Sequence, residues 1–188
     1  GIGGLGHIAV QYARAMGLRV IAVDVADDKL ALARRLGAEI AIDARDEDPA
    51  AAVQRLVGGA HGALVTAVST QAFDQAVGML RRGGTCVLVG LPPGGFPTPI
   101  FPVVLKRLTI RGSIVGTRAD LHEALEFAAR GEIEVEYDTR PLDDVNAIFD
   151  ALKRGTVSGR IVLDFRPVTI VPPRPAWERE VEPELATV

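Results

Sequence analysis

Gly1-Ile2-Gly3-Gly4-Leu5-Gly6 opens the chain, and Ile8, Ala9, Tyr12, Ala13 and Met16 follow it at helical spacing until Gly17. A β-rich run, Arg19-Val20-Ile21-Ala22-Val23-Asp24-Val25, comes next and carries a carboxylate eighteen residues beyond Gly6. A GxGxxG turn alone says little. Followed by an amphipathic helix and then by a strand ending in an acid, it forms the fuller dinucleotide-binding fingerprint. The expected division of labour is physical: the first glycine allows a tight turn, the second lets backbone N–H groups approach a pyrophosphate, and the third lets helix and strand pack closely. The helix N-terminus adds positive potential for the phosphates. Asp24 is expected to accept hydrogen bonds from the adenosine ribose and to repel a 2′-phosphate, favouring NAD(H) over NADP(H). A glycine-rich turn in some other α/β protein is the plainer alternative.

Working outward, strands and helices alternate with short joints. Asp27 and Asp28 are expected to cap a helix carrying Leu30, Leu32, Ala33 and Leu36. Ala38–Ile42 reads as a short strand, 49–57 as a helix closed by Gly58-Gly59, Ala63–Val68 as a strand, and Phe73, Ala76, Val77 and Leu80 as the apolar face of a helix. Arg81-Arg82-Gly83-Gly84 reads as a turn before the strand Thr85–Gly90, and 91–102 as a loop rich in proline and glycine. Leu108–Val115 is a further strand candidate and Asp120–Ala129 a helix. Such alternation predicts an α/β fold with a doubly wound parallel sheet covered on both faces. After Gly131 the rhythm changes to strand, helix (145–153) and strand (160–165). The tail from Arg166 is proline-rich and expected to be disordered, although Val168–Val171 could pair with an open sheet edge.

The composition is ordinary for a globular protein: 188 residues, 48% hydrophobic, 24% charged and a net charge of −3. That charge gives no general attraction to nucleic acid or to an anionic membrane. No apolar run approaches the ~18 residues of a membrane span, and no signal peptide is visible. The single cysteine, Cys86, excludes an internal disulfide framework and fits a reducing cytoplasm. The chain begins on glycine, at the residue where the phosphate-binding turn itself begins, so the start reads as a cut.

The stretches GIGGLGHIAVQYARAMG, VIAVD, LGAE, VTAVS, VLVGLP, GSIVGTRADL and GRIVLDF, in that order, resemble the medium-chain, zinc-dependent alcohol dehydrogenases, especially the bacterial ethanol/propanol-preferring type. The resemblance covers Gly1 to about Phe165. It implies a Rossmann-type NAD-binding domain over 1–131, with strand order 3-2-1-4-5-6 but without its first, central strand. A terminal segment over 132–165 would return to a catalytic domain that precedes this chain, and 166–188 would be the tail. Loss of the central strand leads to the expectation that the isolated chain folds poorly or borrows a strand.

By the same resemblance Gly1, Gly3, Gly4, Leu5 and Gly6 cradle the pyrophosphate, Asp24 and Lys29 hold the adenosine ribose, and Arg160 contacts a cofactor phosphate. Val68, Val89, Leu91, Ser113 and Val115 line the nicotinamide side. From the residues alone, Val68, Val89 and Val115 could equally be strand core, and Lys29 and Arg160 solvated surface charges. The implied activity is oxidation of a primary alcohol to an aldehyde with NAD as hydride acceptor, in a homo-oligomer (dimer or tetramer) whose nucleotide domains pair through the edge strand near Ile114.

No zinc site is expected here, since a catalytic zinc needs three protein ligands and this chain has one cysteine and three scattered histidines. Cys86 reads as an inert core thiol, and His7 as a residue beside the cofactor or solvent. The zinc ligands would lie in the preceding half, which would leave this chain without catalytic residues of its own. A non-catalytic NAD-binding module and an inactive truncated product remain alternatives. Short-chain dehydrogenases are set aside because neither Tyr12 nor Tyr137 has a lysine four residues on.

Overall fold

The computed structural model describes residues 1–166; the expected tail and the possible strand Val168–Val171 fall outside the described residues. The elements run α1 (Gly6–Ala15), β1 (Ile21–Asp24), α2 (Asp27–Arg35), β2 (Ile40–Asp43), α3 (Pro49–Val57), β3 (Ala60–Val65), α4 (Thr70–Met79), β4 (Leu80–Leu88), α5 (Ile100–Lys106), β5 (Thr109–Gly112), α6 (Arg118–Ala129), β6 (Tyr137–Pro141), α7 (Val145–Arg154) and β7 (Arg160–Asp164). Every strand pairing is parallel: β1 with β2, β3 with β4 and β4 with β5, and β6 with β7. This is the expected Rossmann-type α/β fold.

The sheet is held in two parts, β1–β2 and β3–β4–β5, and Gly1 sits between them. Its amino group donates to the Val23 carbonyl (2.9 Å), while its own carbonyl accepts from the Thr66 hydroxyl (2.7 Å). The glycine turn is thereby tied to the carboxyl end of β1 and to the residue just past β3. Three apolar clusters support this frame. Ile2, Val10, Ala22, Ala33 and Ala38 join α1, β1 and α2; Ile42, Ala52 and Val53 join β2 and α3. The largest, Val65, Phe73, Ala76, Val77, Leu80 and Cys86, packs α4 on β3 and β4. Full burial of a side chain such as Leu80 or Phe73 stabilises by about 1.5–3 kcal/mol. Cys86 is fully buried there, and desolvation pushes its thiol up, as an unreactive core cysteine requires.

Several local expectations are corrected. Asp27 and Asp28 are not caps: Ala26 is the N-cap without a side-chain bond, and the two acids occupy the first turn, where they interact with the helix dipole. The Arg81–Gly84 turn is absorbed into β4 as an irregularity, because Ala60 pairs with Leu80 and Gly62 with Thr85. The proline-rich loop ends in a helix, α5. Pro99 is its N-cap and Pro102 lies in its first turn, where a proline costs no hydrogen bond. Helix α6 starts at Arg118 because Thr117 and Asp120 form a capping box, each accepting the other's backbone N–H (3.2 and 2.6 Å). Val68 and Val115 lie beyond the ends of β3 and β5, so the strands are shorter than the apolar runs that suggested them.

Candidate functional site

Helix α1 begins at the glycine turn with Leu5 as N-cap and no side-chain cap. The His7 N–H closes back onto the Gly3 carbonyl (3.1 Å), and the rest of the helix start carries no side-chain cap, at the positive end of the helix dipole that favours an anion. Space requires glycine at the first and third positions of the motif, Gly1 and Gly6, and not at Gly3. None of Gly3, Gly4 and Gly6 adopts a positive φ. A Cβ on Gly1 would lie 2.9 Å from that of Ala67, and one on Gly6 would collide with the Gly1 carbonyl. The first glycine thus permits packing against the segment after β3, and the third leaves room for the Gly1 carbonyl and the Thr66 hydroxyl. At Gly3 nothing lies within 4 Å of an added Cβ, so this position faces open space. At Gly4 the space is taken by the Arg160 side chain, whose Nη1 would be 2.6 Å from such a Cβ.

Asp24 ends β1 beside this turn. One carboxylate oxygen accepts from the Ile2 amide (2.6 Å), and the other from the Val25 (2.8 Å) and Ala26 (3.2 Å) amides. A carboxylate has about four acceptor positions, so these three bonds leave one, on the oxygen facing the turn. Lys29, in the first turn of α2, donates to the Gly155 carbonyl (3.1 Å) after α7. The turn, the acid and Arg160 come together at the carboxyl ends of the strands, where open α/β sheets take their ligands.

The remaining expected residues sit along the same edge. Val68 follows β3 and is 72% exposed; Leu91 follows β4 and is 83% exposed; Val115 follows β5 and is 96% exposed. Val89 and Ser113 are held nearby by backbone bonds to Val65 (3.0 Å) and Leu88 (3.0 Å). Exposure removes the core alternative for Val68 and Val115, and Val89 lies past the end of β4. Val115 also has φ +38°, an unusual conformation for a β-branched residue.

Of the two places expected for His7, beside the cofactor or solvent, the structure removes solvent: the side chain is fully buried against the glycine turn. Its Nδ1 donates to the Gly3 carbonyl (3.0 Å) and its Nε2 accepts from the Glu136 amide (3.2 Å). Gln11, also buried, exchanges two hydrogen bonds with the Glu134 backbone (2.7 and 2.8 Å). Sequence reasoning passed over Gln11. The signal was available in a polar residue one helical turn from His7, on the same face of α1.

The set fits a dinucleotide: an uncapped helix start, an open glycine, a carboxylate with one free acceptor position, a guanidinium against the turn and exposed apolar residues along one edge. Among the described residues no group of three or more His, Cys, Asp or Glu side chains comes together as a metal site. Nor is any helix among them long and apolar enough to cross a membrane.

The zinc-binding dehydrogenase family matches residues 4–130. The alcohol dehydrogenase of Moraxella sp. (strain TAE123) is 59% identical over 165 residues, 88% of this chain and 49% of its own length. Among solved structures, the alcohol dehydrogenase from the archaeon Aeropyrum pernix superposes with a TM-score of 0.82 at 39% identity, over 87% of this chain and 48% of that one. An NAD-dependent alcohol dehydrogenase superposes with a TM-score of 0.79 at 28% identity, over 86% of this chain and 48% of that one. The chain spans about half the length of these relatives. By sequence and by fold, it belongs to the zinc-binding dehydrogenases.

Proposed function

We propose that this chain is the cofactor-binding part of an NAD-dependent alcohol dehydrogenase that oxidises a primary alcohol to an aldehyde. The observation that carries the reading is the meeting of the open glycine turn, Asp24 and Arg160 at one sheet edge. Backbone N–H groups of Gly3, Gly4 and Leu5, within the turn Gly1–Gly6, bind the diphosphate, and the Arg160 guanidinium offsets its charge. Asp24 accepts one ribose hydroxyl at its remaining acceptor position and repels a 2′-phosphate, while the Lys29 ammonium lies alongside. Val68, Val89, Leu91 and Val115 exclude water from the nicotinamide, and Ser113 orients it. When bound, NAD supplies the hydride acceptor.

In the same reading zinc and its ligands belong to the portion of the relatives that this chain does not span. The enzyme is cytoplasmic, and its copies pair near Ile114, past the β5 edge. The runner-up, a non-catalytic NAD-binding module, shares every residue above and differs only in lacking zinc and alcohol-dependent NADH formation.

A fluorescence titration tests the cofactor assignment. NADH should bind more tightly than NADPH, and Asp24→Ala should weaken NADH about tenfold, as expected for losing a hydrogen bond to a charged group, while narrowing the preference. Equal preference before and after the substitution overturns the role of Asp24.

A further inference from the structure

Resting on that reading, we infer that His7 is a positioning residue that holds Arg160 over the glycine turn. The two ends of the anion site come from opposite ends of the described chain, and a series of hydrogen bonds joins Gly3 to the Arg160 backbone. His7 Nδ1 grips the Gly3 carbonyl (3.0 Å), and the Glu136 N–H donates to His7 Nε2 (3.2 Å). The Glu136 carbonyl in turn accepts from the Arg160 amide (2.9 Å), and the Arg160 side chain returns to lie against Gly4.

Both ring nitrogens are committed, one donating and one accepting, and the ring is fully buried. Neighbouring contacts reinforce the same docking. Gln11 clamps the Glu134 backbone, and Arg35 pairs with the Glu136 carboxylate (2.7 Å). Gly159, at φ +72°, passes so close to Glu136 that a side chain there would meet its carbonyl. An apolar residue at position 7 would fill the space but release the segment that carries Arg160, leaving the Gly3 carbonyl held only by the backbone N–H of position 7 (3.1 Å).

The test is calorimetric binding of ADP-ribose and of adenosine to the full chain. His7→Leu should weaken ADP-ribose about fivefold, the equivalent of one net hydrogen bond, and leave adenosine unchanged. His7→Gln, which restores an acceptor for the Glu136 amide, should recover affinity to within about twofold. In an Arg160→Ala background the His7→Leu loss should vanish, since coupled residues are not additive. Equal losses in both backgrounds, or an adenosine loss matching that of ADP-ribose, overturn the inference. Should His7→Leu fail to fold, Gln11→Met replaces it, and undiminished ADP-ribose binding by that variant overturns the inference as well. A native chain that binds no ADP-ribose or NADH overturns the cofactor reading itself; one that binds both while His7 and Arg160 act additively overturns only the coupling.

Discussion

Around Gly1–Asp24 the polar groups of the candidate site are already bonded to the chain: the Asp24 carboxylate to three amides, His7 to Gly3 and Glu136, and the Gly1 carbonyl to Thr66. Past the ends of β3, β4 and β5 the picture reverses, with Val68, Leu91 and Val115 largely bare. The first region is organised before any ligand arrives, so its geometry is a property of this chain. The second offers apolar surface and little that orients it, so its shape depends on whatever closes over it. Preorganised donors lose little entropy on binding, whereas an open apolar edge contributes only when covered.

The sharpest way to break this contrast is at the glycines. Gly6→Ala drives a methyl group into the Gly1 carbonyl and toward the Thr66 hydroxyl (3.3 Å). It should lower the unfolding free energy by about 2–3 kcal/mol in urea titration, the scale of overpacking. Gly3→Ala meets nothing within 4 Å and should change the same free energy by less than about 1 kcal/mol, yet still weaken NADH. If both variants unfold alike, the claim that the third glycine packs while the second stays open for a ligand fails.

A smaller effect concerns the carboxyl end of β2. Arg45 pairs with Asp43 and with Asp27 (2.6 Å), and the Asp43 side chain is 12% exposed. The Arg45 guanidinium and its backbone N–H hold the Asp43 carboxyl down at about 2, against an ordinary 3.8. A depressed carboxylate contributes stability above its unfolded value and loses it as pH falls toward the folded one. The difference in Tm between the native chain and Asp43→Asn should therefore be full at pH 6 and shrink between about pH 4 and 2. A difference that stays constant over that range would remove Asp43 from the stabilising pairs.

The smallest effect is expected on the bare side. Leu91→Ser, at a site 83% exposed, should leave the unfolding free energy within about 0.5 kcal/mol. A larger loss would mean that the edge past β4 is packed by the chain itself, and the contrast would blur.

Much of this was legible from local pattern. Helix α1 and its stop at Gly17, the strand ending in Asp24, and the helix over 49–57 all follow from short-range periodicity, and the structure reproduces them. Helix α5 was missed because Pro99 and Pro102 read as the end of a proline-rich loop, although prolines at an N-cap and in a first turn obstruct no helical bond. The Thr117–Asp120 box was present in the sequence and went unread. Val68 and Val115 looked like strand interior because a buried strand and an apolar edge share a composition; only pairing tells where the ladder ends.

The order of residues alone therefore determined the parallel α/β architecture, the glycine turn and the acid that accompanies it, since each rests on spacing within a few tens of residues. Tertiary structure alone decided that the first glycine serves packing, that Asp24 keeps a single acceptor position, and that His7 is buried between Gly3 and Glu136. These properties arise from contacts across as many as 129 residues, and no local pattern encodes which distant backbone will arrive at a given side chain.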